Sequence, residues 1–213
     1  MILVAAFLLF VSENIIPIKA SAQVSVSFQV FYNDLAPYGN WVSYPGYGYA
    51  WAPAYTGFRP YVTGGRWVFT DLGWTWVSNY DWGWAPFHYG SWLYDPGYGW
   101  LWVPGYNWAP AWVVWGTYGD YYGWAPVAPG FSISIGYHPP IDYWAFSQPH
   151  YIATGAFATN YVVANNSRIS IGSNTPITNV NDIAVVNNTS KYEGSQFNAG
   201  PPRQDFERMA KTK

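Results

Sequence analysis

The groups in the aromatic part of this sequence that could do chemistry are five aspartates (Asp34, Asp71, Asp81, Asp95 and Asp120), one histidine (His88) and two arginines (Arg59 and Arg66). Trp-lined clefts often hold sugars, and glycoside hydrolysis needs two carboxylates flanking the scissile bond, one with a raised pKa. There is no glutamate between residues 31 and 129, and the aspartates sit mainly in Gly- or Pro-containing turns, where Asp is favoured for turn geometry alone. The three histidines, His88, His138 and His150, show neither HxH nor HExxH spacing, so no metal site is expected. His88 reads as a connector residue hydrogen-bonded to backbone. Cysteine is absent, which removes disulfides, thiolate catalysis and Cys-type zinc or iron–sulfur sites. No serine lies in a GxSxG elbow, and the Gly-rich turns lack the lysine and following helix of a phosphate loop. No catalytic residue and no cofactor is assigned.

What remains is binding through rings. Tyr49/Trp51, Trp74/Trp76, Trp100/Trp102 and Tyr122/Trp124 form four aromatic-x-aromatic pairs, and side chains two apart on a strand share a face. A Trp face is flat and apolar with a polar N–H at its rim, which suits a pyranose ring, an apolar protein surface or a quaternary ammonium group. These eight residues are the candidate ligand-binding set. The competing reading, which takes precedence, is that they are the core: burying one aromatic removes roughly 150–250 Å² from water, about 4–6 kcal/mol at roughly 25 cal/mol per Å². Arg59 and Arg66 are the only cations among 33 aromatic residues of this stretch, and stacking within the sheet is favoured for them over substrate recognition.

The elements that must carry these pairs are hairpins. Residues 31–129 hold 14 of the 15 Trp and 15 of the 20 Tyr, and they repeat. Gly39-Asn40-Trp41 leads through Pro45-Gly46 to Tyr49-Ala50-Trp51; Gly65-Arg66-Trp67 through Asp71-Leu72-Gly73 to Trp74-Thr75-Trp76; Gly90-Ser91-Trp92 through Asp95-Pro96-Gly97 to Trp100-Leu101-Trp102. A looser fourth copy runs from Trp112 or Trp115 through Gly119-Asp120 to Tyr122-Gly123-Trp124. The leading Trp residues of the first three copies are 26 and 25 residues apart, and Trp, Tyr and Val favour strands. Pro45-Gly46 and Pro96-Gly97 suit type II turns. Four Trp-Ala-Pro tripeptides, at Trp51, Trp84, Trp108 and Trp124, read as strand terminators.

The opposite face of each second strand (Ala50, Thr75, Leu101, Gly123) is small or aliphatic and hardly polar, so something must cover it. Short alternating runs after Gly130 are candidates: Phe131–Ile135, Tyr161–Val163, Ile169–Ile171 and Ile183–Val186. The predicted fold is all-β: tandem antiparallel hairpin repeats, arranged as a twisted sheet, small barrel or solenoid, over residues 31–129. A smaller Asn/Ile/Val-rich β segment follows over 130–190. Residues 191–213 form a polar tail, read as a short, marginal helix or a disordered end.

Charged residues make up 9% of the chain and the net charge is −2, so there is no basic footprint for nucleic acid. Residues 1–22 read as a signal peptide: an 11-residue apolar run from Met1 to Val11, then Ala20-Ser21-Ala22 before Gln23, although the usual basic n-region is missing. No later apolar run approaches the roughly 18 residues of a membrane-spanning helix. The ordered segments PYGNWV, GRWVFTDLGWTWVS, WGWAPFHYGSWLYDPGYGWLWVPG and NWAPAWVVW resemble an uncharacterised family of exported tryptophan-rich proteins of Gram-negative bacteria, with W-x-x-G-x-W and Y-x-W-G-x-W repeats. That resemblance implies export to the periplasm or cell envelope and supplies no activity or ligand. The leading expectation is a non-enzymatic envelope protein, structural or binding cell-wall or surface glycan through its aromatic surfaces. The alternatives are a carbohydrate-active enzyme and a subunit of an envelope protein complex.

Overall fold

A computed structural model describes residues 26–131, 133, 137–163 and 177–211. The expected signal peptide and the strands expected at 169–171 and over most of 131–135 lie outside the described residues.

The repeats are hairpins: β1 (Gly39–Tyr44) with β2 (Gly48–Pro53), β3 (Gly65–Thr70) with β4 (Gly73–Ser78), β5 (Tyr89–Asp95) with β6 (Gly99–Trp108), and β7 (Val113–Tyr118) with β8 (Tyr121–Pro126). In each, the leading Trp lies directly opposite the second Trp of the aromatic pair: Trp41 faces Trp51, Trp67 faces Trp76, Trp92 faces Trp102 and Trp115 faces Trp124. The fourth copy therefore leads with Trp115, not Trp112. The Gly-x-Trp signature has a steric cause. A Cβ built on Gly39 would stand 2.7 Å from the Trp51 indole, one on Gly65 2.5 Å from Trp76, and one on Gly90 2.8 Å from Trp102. The cross-strand indole lies over each glycine, and for Gly39 and Gly90 the cross-strand carbonyl oxygens of Ala52 and Val103 stand closer still, so any side chain there would clash with both.

The two Pro-Gly loops differ. Tyr44–Tyr47 closes with a Tyr47 N–H to Tyr44 carbonyl bond (3.1 Å) and Gly46 at φ 83°, the type II geometry expected. At Pro96-Gly97 the Asp95 carboxylate instead accepts from the N–H groups of Gly97 (2.7 Å) and Tyr98 (3.0 Å), and the left-handed residue is Gly99 (φ 77°). An aspartate at the first turn position captures N–H groups that a tyrosine cannot, and this changes the turn.

The hairpins assemble into antiparallel sheets with no closed barrel among the described residues. One sheet has the order β1-β2-β6-β5; β3-β4 stands as its own ribbon; β7 and β8 join a five-stranded sheet, β10-β9-β8-β7-β11, through β9 (Ala145–Ser147), β10 (Val162–Val163) and β11 (Ala184–Val185). The aromatic faces turn inward onto one core that includes Trp51, Trp76, Trp82, Trp102, Trp115 and Trp124. Tyr61 stands near its centre at φ 58°, a left-handed conformation uncommon for a residue with a side chain. Its hydroxyl donates to the Phe87 carbonyl (3.1 Å) and accepts from the Trp112 N–H (3.2 Å), and its carbonyl accepts from the Trp124 indole (2.8 Å).

The second faces are covered in different ways. The Tyr44 hydroxyl on β1 donates to Asp95 Oδ2 at the end of β5 at 2.9 Å, joining the two edge strands through their side chains. Ala50, Leu93 and Leu101 form a small apolar cluster, and the side chains packed around it, Val42, Tyr44, Ala52 and Val103, come from the same four-stranded sheet. In the fourth hairpin a Cβ on Gly116 would meet Ile183 at 2.6 Å and Trp144 at 3.0 Å, and Gly123 lies against Phe146. There the residues after 130 supply the cover. On β3-β4, Val68 and Thr75 stay half-buried, with Thr70 and Thr75 hydroxyls 2.9 Å apart.

Three helices pack against the strands. α1 (Phe28–Leu35) puts Phe31 and Leu35, one turn apart, into the core, and the Leu35 carbonyl accepts from the Trp51 indole (3.0 Å). α2 (Pro149–Thr154) starts on proline and stops at left-handed Gly155. The tail is packed: β12 (Thr189–Tyr192) and β13 (Ser195–Asn198) pair, and α3 (Arg203–Lys211) buries Phe206 4.4 Å from the Trp74 ring and 5.2 Å from that of Tyr122. Residues from all three composition segments thus share one core.

Candidate functional site

Seven of the eight candidate rings, Trp51, Trp74, Trp76, Trp100, Trp102, Tyr122 and Trp124, are only 0–7% exposed. Rings so enclosed are part of the packed core and present little open face. Their polar rims are used internally as well: the indole of Trp102 donates to the Tyr89 carbonyl (2.6 Å), that of Trp74 to Pro201 (3.1 Å). The buried indole N–H of Trp76, like those of Trp67, Trp82 and Trp115, has no acceptor among the described residues.

Tyr49 differs. Although it shares a strand face with Trp51, it lies one pleat further toward the hairpin loop, beyond the edge of the core, and is 53% exposed. Beside it are residues that strand spacing alone did not flag. Phe28 on α1 has its ring 5.9 Å from Tyr49 and 5.3 Å from Trp41, and Tyr32 stacks on Trp41 at 5.4 Å and 23°. Phe28 and Tyr32 are one helical turn apart, a signal readable only once α1 is known to exist. Together Phe28, Tyr32, Trp41 and Tyr49 make a partly exposed aromatic surface at the junction of α1 with the first hairpin.

Asp95, His88 and Arg59 each make structural contacts. Asp95 accepts three hydrogen bonds, and the one from Tyr44, followed by that from Gly97, holds its carboxyl below the usual carboxylate range. A carboxylate so held stays ionised at neutral pH and has no proton to give as a general acid. His88 Nδ1 lies 3.0 Å from the Ala109 carbonyl, its ring stacked on Trp108, and burial lowers its pKa against the opposing effect of backbone hydrogen bonds. Arg59 donates to the carbonyls of Asp142 (2.6 Å) and Trp144 (3.1 Å) and lies over the Trp100 ring, with desolvation lowering its pKa to about 10. It ties the chain after 130 to the third hairpin, the structural role expected. Arg66, by contrast, is exposed on β3. Among the described residues no three His, Asp or Glu side chains converge as a metal site, and no helix is long and apolar enough to cross a membrane.

Fold and surface together define a protein of aromatic-cored β-hairpin repeats with a tyrosine-rich exterior. Residues 32–131 match a family described as a family of unknown function (DUF6600). That match covers the hairpin repeats nearly end to end. No curated protein and no solved structure matched the chain.

Proposed function

We propose that this is a non-enzymatic, exported envelope protein in which the repeats build a rigid scaffold and the exposed rings bind cell-wall or surface glycan. The observation that carries the reading is the division of labour among aromatics. The large fully enclosed side chains are mostly Trp, whereas eight of the eleven large apolar side chains exposed among the described residues are tyrosines. Tyrosine offers a sugar both a stacking face and a hydroxyl, and it loses little conformational freedom on binding. The surface around Tyr49 concentrates this chemistry.

The test is retention of the mature protein on insoluble peptidoglycan and on immobilised surface polysaccharide, followed by tryptophan fluorescence titration with any glycan that retains it. Tyr32→Ala/Tyr49→Ala should lose retention while the circular dichroism spectrum and Tm stay at wild-type values. Retention unaffected by the pair, or absent for every glycan, would overturn the platform. Glycan turnover abolished by Asp95→Asn would replace it with the enzyme reading.

A further inference from the structure

A groove of about 400 Å³ lies between β3, the end of α2 and the start of α3. Phe69, half-buried, is its accessible ring; Trp67, Trp74 and Phe206, which also line it, are buried. Its rim is charged, with Arg66 on β3 and Arg203 and Glu207 on α3. Arg203 Nε donates to Glu207 Oε1 at 2.8 Å, and its guanidinium sits 5.9 Å from the centre of the half-buried Phe69 ring. Arg66 makes no ion pair among the described residues. Two guanidinium groups against one carboxylate leave an excess of one positive charge at a groove in a chain whose net charge is −2. Two of the four described arginines thus meet at one aromatic depression, from elements 137 positions apart in sequence.

We infer that this groove binds a carboxylate-bearing sugar residue, a uronic acid or its equivalent, within an extended glycan. The inference rests on the glycan-binding reading above and names the chemical class that this second site selects. The volume falls within the range of about 300–1,000 Å³ common for small-ligand sites, large enough for one sugar ring. Guanidinium matches carboxylate geometrically through paired N–H donors. The Phe69 ring takes the C–H face of the sugar. A neutral sugar leaves Arg66 unused, and a bare anion leaves the Phe69 ring unused. Glu207 competes for Arg203, so it sets the threshold that an incoming carboxylate must exceed.

Isothermal titration of the mature protein with three probes tests the assignment: an oligogalacturonate, a maltooligosaccharide of equal length, and inorganic sulfate. Oligogalacturonate should bind at least tenfold more tightly than either of the others, with an affinity that falls as salt is raised. Arg66→Gln and Arg203→Gln, both at exposed positions, should each weaken it about tenfold without changing Tm. Glu207→Gln should tighten it, an effect that mere loss of structure would not produce. Equal affinity for the neutral oligosaccharide, oligogalacturonate binding indifferent to both arginine substitutions, or no binding of oligogalacturonate would each overturn the groove. In the first two cases glycan binding through the Tyr49 surface survives; loss of retention on every glycan in the preceding test removes that reading separately.

Discussion

Trp76 gives the sharpest test of the core assignment. Its side chain is fully buried, 5.3 Å from Trp67 across the ribbon, 5.7 Å from Phe87 and 5.9 Å from Phe157. Trp76→Ala removes that packing and leaves a cavity, at a cost of about 3–5 kcal/mol. Total stabilities of roughly 5–15 kcal/mol are usual, so the variant should lose a large share of its stability and roughly 6–20 °C in Tm. The hydrogen bonds allow a finer comparison. Trp76→Phe discards an indole N–H that has no acceptor, whereas Trp102→Phe makes the same change in volume and also strips the Tyr89 carbonyl of its donor. A lost hydrogen bond costs about 0.5–1.5 kcal/mol, so Trp102→Phe should be the less stable variant by about that margin. Urea unfolding followed by far-UV circular dichroism measures both, with Tyr49→Ala as a surface control expected within about 0.5 kcal/mol of wild type. A Trp76→Ala cost below about 1 kcal/mol, or a reversed order of the two Phe variants, would refute the reasoning.

Other outcomes follow from the same contacts. Gly65→Ala drives a methyl group against the Trp76 ring and should cost about 1–3 kcal/mol; a midpoint unchanged in urea would show that the glycine is not shaped by its cross-strand indole. Phe206→Ala, which unstacks α3 from Trp74 and Tyr122, should cost about 3–5 kcal/mol and expose the last residues to trypsin; a C-terminus no more cleavable than wild type would contradict the packed tail. At alkaline pH, burial raises the pKa of Tyr61 above its ordinary value of 10.0. Its stabilising contribution is therefore intact below pH 10 and is lost as pH rises beyond it, because the unfolded phenol ionises first. Arg59, lowered to about 10 from 12.5, acts in the opposite sense between those values. Burial also raises Tyr122, Tyr137 and Tyr143, so the net expectation is unfolding above pH 10, with tyrosinate absorbance rising together with the loss of circular dichroism. Tyrosinate forming well below the unfolding transition in full amplitude would exclude a buried Tyr61.

The hairpins were legible because their signals are local. Strand propensity, the Gly-x-Trp spacing, the Pro-Gly and Gly-Asp turns and the Trp-Ala-Pro stops all act within about a dozen residues, and the period-2 rule then places each aromatic pair on one face. That logic carried through to Trp51, Trp76, Trp102 and Trp124, each opposite its leading tryptophan. It did not reach Tyr49, which has the same strand phase as Trp51 yet lies beyond the core edge, since the edge depends on where α1 and the third hairpin end. Nor did it reach Arg66 and Arg203, whose meeting depends on α3 docking through Phe206. Chain-local chemistry determined that this protein would be a set of aromatic-faced hairpins with a second face in need of cover. Only the tertiary structure decided what that cover is: a cluster of Ala50, Leu93 and Leu101 ringed by side chains of the same four-stranded sheet, and Trp144, Phe146 and Ile183 laid over the glycines of the fourth hairpin. The physical reason is that burial is a property of neighbours distant in sequence, and an apolar face specifies that it must be covered without specifying by what.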